Sequence, residues 1–278
     1  MILARLRRTL AYLVLFIVAI VGIAPILYLF FLSTKRRIEI GEVPPSYHID
    51  WETVRNNYRD VLFDRGYMKN NINSVVITGL TVIVCLCLAT PAAYGLSKVA
   101  KKNADKISQN ILSLRFMPPV AIAVPIMLML RFVHLNNTHI GLVIPYVAAT
   151  LPLAIWILLG FFDEIPLEIE EAAMLDGATR FQSLTKINLP LVRPGIAVAG
   201  IFAAILIWNE FLVGLYLIDS ESLKTVPIAA AGLISAQRPI DWNVAATVGV
   251  VTLIPLLIAS IFVQKHLVKG ITAGAIKG

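Results

Sequence analysis

The chain has 278 residues, is 58% apolar with a mean hydropathy of +0.80, and carries a formal net charge of +7. Soluble domains are usually about 45–50% apolar, and here the excess falls in blocks of about 20 or more residues, enough to cross a hydrocarbon core of about 30 Å. That excludes a soluble domain, and because Lys and Arg sit at the ends of the apolar runs, where they set orientation, the charge does not mark a nucleic-acid surface.

A bilayer admits only helices or a closed barrel, and unbroken apolar runs without alternation choose helices. The expectation is an all-α, polytopic membrane protein of one domain, residues 1–278, with six spans. The first, 10–32, follows Arg5, Arg7 and Arg8 and is too long for a cleaved signal core. In the 33–71 segment, Asp50 is a good N-cap for a short surface helix with Trp51, Val54, Tyr58 and Val61 at helical spacing. The second span, 72–96, holds Cys85 and Cys87, which point to different sides of a helix and read as apolar fillers. A basic loop, 97–110, leads to the third span, 111–133, interrupted by Pro118-Pro119 and Pro125, with Arg115 and Arg131 near its ends. His134 and His139 in the next turn have poor metal-site spacing. The fourth span, 140–162, contains Pro145 and Pro152; such prolines usually mean kinks. The fifth and sixth spans are 195–218 and 244–263, and a tail, 264–278, ends the chain.

Segments 1–9, 97–110, 163–194 and 264–278 carry slightly more Lys and Arg than 33–71, 131–139 and 219–243. Both termini are therefore expected in the cytosol, although Lys35-Arg36-Arg37 runs against the bias.

The 163–194 loop is a charged insert bounded by prolines. Pro166 suits a first helical turn, and Glu168, Glu170 and Glu171 meet the positive end of its dipole. Ile169, Ala172 and Ala173 share a face, with the alanines leaving a shallow surface, and Asp176-Gly177 ends the helix. Thr179 with Gln182 makes a capping box for a second helix. That helix is expected to set Phe181, Leu184 and Ile187 against Arg180, Gln182, Ser183 and Lys186, and to stop at Leu189-Pro190. Two short helices joined by a small-residue elbow suit a grip for a soluble partner.

Glu171, Ala172, Ala173, Gly177, Ile187, Leu189 and Pro190 together reproduce the spacing Glu-Ala-Ala, three residues, Gly, nine residues, Ile, one residue, Leu-Pro. This resembles the signature (EAA) loop of permease subunits in binding-protein-dependent ATP-binding-cassette (ABC) importers. Residues 140–166, 207–215 and 270–278 are similar to the smaller permease of maltose-type carbohydrate importers. The resemblance implies a type I importer permease fold in a bacterial inner membrane, and a coupling helix seated on a cytosolic ATPase. Glu171 would pair with a basic residue there, with Asp176 beside the turn at Gly177 and the 270–278 tail reaching between two ATPase subunits. It also implies a second, homologous permease and an external solute-binding protein that touches the 219–243 loop. The chain has no G-x-x-x-x-G-K-[ST], H-E-x-x-H or G-x-S-x-G. No catalytic centre and no cofactor are expected in it; ATP and Mg belong to the partner ATPase.

Within the spans, Glu210 is the sharpest feature, because an ionisable group at that depth is costly and faces a bundle interior or a water-filled path. With Trp208 and Asn209 it is a candidate for the lining of a solute path, and Tyr146, Thr150 and Asn73 are further candidates. Two alternatives stand beside this: Glu210 as a polar clamp between helices, and Glu210 as the coupling site of an ion-driven transporter.

Overall fold

The computed structural model describes residues 2–44, 46–233 and 240–275, with side chains for 7–44, 46–233 and 240–261. Among the described residues every regular element is helical. In chain order the helices are α1 (Ile2–Ser33), α2 (Trp51–Arg59), α3 (Tyr67–Ser97), α4 (Lys101–Ser113), α5 (Pro119–Phe132) and α6 (His139–Asp163). Then come α7 (Leu167–Leu175), α8 (Arg180–Leu191), α9 (Arg193–Trp208), α10 (Leu212–Leu217), α11 (Val226–Ala231) and α12 (Trp242–Ala275).

Among the described residues four stretches are continuous helices long and apolar enough to cross a membrane: Arg7–Ser33, Tyr67–Ser97, His139–Asp163 and Trp242–Ile261. The other two expected spans fall on bent pairs. Lys101–Phe116 meets Pro119–Phe132 at 88°, and Arg180–Leu191 meets Arg193–Trp208 at 76°. The first bend has a local cause: proline pushes the residue before it out of the helical region, and Met117 (ψ 128°) and Pro118 (ψ 126°) are both extended. Pro125, Pro145 and Pro152 stay inside their helices. The expected 195–218 span is helical only to Trp208; Asn209 to Phe211 interrupt it before α10. The final helix runs on to Ala275, past the expected end of its span, and residues 276–278 of the 270–278 tail lie outside the described residues.

The chain packs as two units. One comprises Met1–Lys69 and Ala230–Leu256. In it the apolar length of α1 is exposed on all sides, while its end is tightly held: Ser33, Thr34 and Lys35 are buried. Unpaired carbonyls at a helix C-terminus need donors, and α2 supplies them, since Asn57 Nδ2 donates to the Ser33 and Lys35 carbonyls at 2.9 Å. The inward face of α2 is thus Thr53 and Asn57, continued by Val61 in the π-turn Asp60–Asp64 that follows, whereas Trp51, expected to share it, is 73% exposed. Asp50 caps α2 through the Glu52 and Thr53 amides. The hydrogen bond from the Thr53 hydroxyl, then that from the Glu52 amide, holds the Asp50 carboxyl down at about 2.

This unit also explains the basic triplet that opposes the charge bias. Lys35 donates to the His48 carbonyl and lies 4.6 Å from the Phe31 ring centroid. Arg36 pairs with Asp50 at 3.1 Å, and Arg37 with Asp241 at 2.9 Å. All three cations have local structural partners.

The other unit, Asn70–Ala229 and Leu257–Gly278, is organised around α6. One core cluster gathers Cys85, Tyr94, Leu158, Phe162, Val192 and Ala199; a second gathers Ile77, Leu142, Tyr146, Ile207, Val213 and Leu217. Buried Gly195, Ala199 and Ala203 recur every four residues along α9 and let helices approach closely. A Cβ on Gly195 would lie 2.4 Å from Phe161 Cγ.

Candidate functional site: the helical elbow 163–194

The elbow is built from three local devices. Helix α7 begins after Pro166, with Glu168 and Glu170 in its first turn. At its other end Gly177 takes φ +87°, which only glycine adopts cheaply. The Ala178 amide then donates to the Ala173 carbonyl (3.0 Å) and the Gly177 amide to the Met174 carbonyl (3.1 Å), the paired bonds of a Schellman stop. Two residues on, Thr179 and Gln182 form the reciprocal capping box, with bonds of 2.8 and 3.2 Å.

The second arm departs from expectation. Residues Ser183–Asn188 form a π-helix, so each bond reaches five residues instead of four. That shifts the faces: Ser183 and Asn188 turn inward and are buried, while Phe181 is 74% exposed. Asn188 Nδ2 donates to the Ser183 carbonyl (3.1 Å) and hydroxyl (3.0 Å). Helix α8 does not stop at Leu189-Pro190; it continues to Leu191, and Pro190 sits in the first positions of its last turn. The wide turn accommodates a residue without an N–H, as the Leu189 amide has already reached back to the Leu184 carbonyl.

The two adjacent glutamates of α7 have opposite surroundings. Glu170 is buried; Tyr94 Oη donates to its Oε1 at 2.5 Å, and Lys98 Nζ donates to Oε2. Burial works to raise the Glu170 carboxyl, but hydrogen bonds from Lys98 and Tyr94, with a further one from Asn188, together bring it below the ordinary carboxylate value. Glu171 is exposed, as are Ala172, Asp176 and Gly177. Beside them Leu175 is 88% exposed and Leu167 61%. Ala173, Ile187 and Leu189 are half-buried, and Pro190 is exposed. Lys101 of α4 pairs with Asp163 at the end of α6, and that bond raises the Lys101 ammonium. Loops 97–110 and 163–194 therefore lie on one side, as charge counting groups them. On the other side Asn137 Oδ1 accepts from the Asp219 and Ser220 amides.

The candidate path residues divide. Tyr146 and Glu210 share the wall of a cavity of about 250 Å³ with Arg115, Ile126, Pro152 and Val213. Glu210 accepts from the Val213 (2.8 Å) and Gly214 (3.2 Å) amides at the start of α10. Asn209 donates to the Ile205 carbonyl, and Trp208 is buried. The Thr150 hydroxyl donates to the Tyr146 carbonyl of its own helix. Asn73 is buried and its amide donates to the Ser222 and Lys224 carbonyls, both at 3.0 Å. Among the described residues no group of three or more His, Cys, Asp and Glu is arranged to hold a metal.

Lys98, Glu170, Asn137 and the Ser183–Asn188 pair escape sequence reading. The one signal in the sequence is that successive residues on a helix are about 100° apart, so Glu170 and Glu171 need not share surroundings.

An all-helical chain with membrane-length helices and a capped, outward-facing elbow has the architecture of a type I importer permease. Its backbone matches a chain in the crystal structure of a bacterial ABC transporter involved in the import of the acidic polysaccharide alginate. The TM-score is 0.77 over 94% of this chain and 96% of that one, at 23% identity. Residues 86–273 match the family described as "Binding-protein-dependent transport system inner membrane component", and the chain belongs to that family. It is 33% identical to the trehalose/maltose transport system permease protein MalG of Thermococcus litoralis, over 83% of this chain and 84% of that protein. It is 32% identical to the trehalose transport system permease protein SugB of Mycobacterium tuberculosis (93% and 94%), and 31% to the sulfoquinovosyl glycerol transport system permease protein SmoH of Agrobacterium fabrum (92% and 90%). It is thus an ABC transporter permease.

Proposed function

We propose that this chain forms half of the translocation path for a sugar or sugar-like solute and is driven by ATP hydrolysis on a separate subunit. The sugar class rests on the relatives, whose names specify trehalose, maltose and sulfoquinovosyl glycerol. In this reading the protein lies in a bacterial inner membrane with both termini in the cytosol. It pairs with a second, homologous permease, two ATPase subunits that bind ATP and Mg, and an external solute-binding protein. The chain itself carries out no covalent chemistry.

The observation that carries the proposal is the elbow. Its shape is fixed from within by the Gly177 turn and the Thr179 box, and it turns Glu171, Ala172, Leu175 and Phe181 outward. Such a rigid, exposed, partly apolar surface suits docking into a groove. Glu171 would meet a basic group of the ATPase, and Asp176 and Gly177 would set the angle between the arms. Ile187, Leu189 and Pro190 would fix the second arm to α9. Closure of the ATPase pair would then move the elbow and switch the spans between outward-open and inward-open packings. The cavity bounded by Tyr146 and Glu210 is the best candidate for a stretch of path, with Trp208 and Asn209 next to it in the chain.

Glu171→Lys and Gly177→Pro test the reading. Both should abolish solute uptake while the protein stays in the membrane at normal abundance. Normal uptake by both variants would overturn the proposal.

A further inference from the structure

The elbow is covalently continuous with α6 on one side and α9 on the other, but α3 belongs to neither connection. Between α3 and the first arm stands a polar joint made of a buried carboxylate, a buried tyrosine and Lys98 at the exposed rim. Glu170 of α7 takes the hydroxyl of Tyr94 on one carboxylate oxygen and the ammonium of Lys98 on the other. The three groups are locked in turn. Tyr94 is buried and packs edge-on against Phe162, with ring centroids 5.7 Å apart. Lys98 Nζ lies 4.9 Å from the Tyr94 ring centroid. The joint lies at the lower edge of the core cluster that includes Val192, where the second arm turns into α9.

We propose that Glu170, Lys98 and Tyr94 form the joint that makes α3 move with the elbow, with Glu170 a positioning residue distinct from the outward-facing Glu171. Separating a buried carboxylate from its cation leaves an uncompensated charge, which is strongly unfavourable. A pull on α7 is therefore transmitted to the end of α3 in preference to opening the pair. The inference rests on the proposed docking of an ATPase at the elbow.

The test uses the complete importer in lipid nanodiscs, with Cys85 and Cys87 replaced by Ala and nitroxide labels on Glu168 in the first turn of α7, outside the docking surface, and on Ile83 in α3. Pulsed electron resonance reads the distance between them without nucleotide and with ATP plus vanadate. The intact joint should give one narrow distance in both states. Glu170→Gln and the milder Tyr94→Phe should keep that distance without nucleotide and gain a second, longer one with ATP plus vanadate, while the ATPase remains bound. The exchange Glu170→Lys with Lys98→Glu should restore the single distance, a rescue that mere loss of packing would not give. A single distance in Glu170→Gln under both conditions overturns the joint, as does failure of the exchange to restore it. Glu171→Lys is the separate control. If it retains the ATPase and its nucleotide response, the docking reading fails whatever Glu170 does. If it loses the ATPase while Glu170→Gln stays rigid, only the joint fails.

Discussion

Gly177 offers the cleanest quantitative test of the elbow. A Cβ added there meets nothing within 4 Å, and φ is +87°, so any effect of substitution is conformational and not steric. The left-handed conformation costs an ordinary L-residue roughly 1–2 kcal/mol. Reduced freedom of the unfolded chain returns about 0.4–1 kcal/mol to alanine. The net for Gly177→Ala is about 1 kcal/mol, at most a roughly fivefold loss in the population of formed elbow and in apparent affinity for the ATPase. Asn tolerates this conformation better, so Gly177→Asn should lie between glycine and alanine. Proline cannot adopt the angle and also deletes the amide that bonds to Met174; at about 3 kcal/mol or more, binding should fall by over 100-fold. The assay is the dissociation constant of the ATPase for the purified permease, in the order Gly, Asn, Ala, Pro. Alanine equal to glycine, or Asn weaker than alanine, would refute the argument that backbone angle sets the elbow.

Other expectations concern the remaining turns and caps. Gly141→Ala would bring a Cβ to 2.0 Å from the Leu135 carbonyl oxygen, a backbone clash worth at least the roughly 1–3 kcal/mol of ordinary overpacking. A thermal melt should show the loss, whereas Gly79→Ala, with open space around it, should match or exceed the parent. Asn137 has φ 55° and accepts two amides, so Asn137→Gly should lower the melting temperature through lost bonds and Asn137→Ala should lower it further through added strain. Asp50 has a depressed carboxyl, so its cap on α2 is complete above the ordinary carboxylate range and is lost as pH falls through about 2. Hydrogen exchange at the Glu52 and Thr53 amides, corrected for intrinsic rate, should keep its protection at pH 4, and Asp50→Ala should lose it at every pH.

The parts of the fold visible in the sequence were those fixed by neighbours along the chain. Thr179 and Gln182 announce their capping box, Gly177 its turn, Asp50 its helix, and Pro118-Pro119 the interruption that appears as an 88° bend. What stayed hidden depends on groups far apart in sequence or on a change of helical pitch. Glu170 finds Tyr94 and Lys98 more than 70 residues away, and no local pattern distinguishes it from Glu171. A period of 3.6 predicts the faces of α8, and the π-helix at Ser183–Asn188 does not keep it. Glu210 presents as a charge within a span only if the span is continuous; a break at Asn209 lets its carboxylate cap α10. Asn73 reads as a polar group open to a path, yet its donor is engaged by carbonyls about 150 residues away that the sequence gives no means of placing; Thr150 instead bonds back to the Tyr146 carbonyl of its own helix, a local alternative that its sequence position allows.

The different headings of Glu170 and Glu171, about 100° apart with one buried and one exposed, make the stretch from Pro166 to Gly177 a measured interval. Many of its side chains can be exchanged while each carboxylate keeps its heading. Deleting a single residue ahead of them would rotate both by about 100°, carrying Glu170 to the exposed position of Ile169 and Glu171 to the buried position of Glu170. Evolution or engineering can therefore rewrite the composition of this segment far more freely than its length.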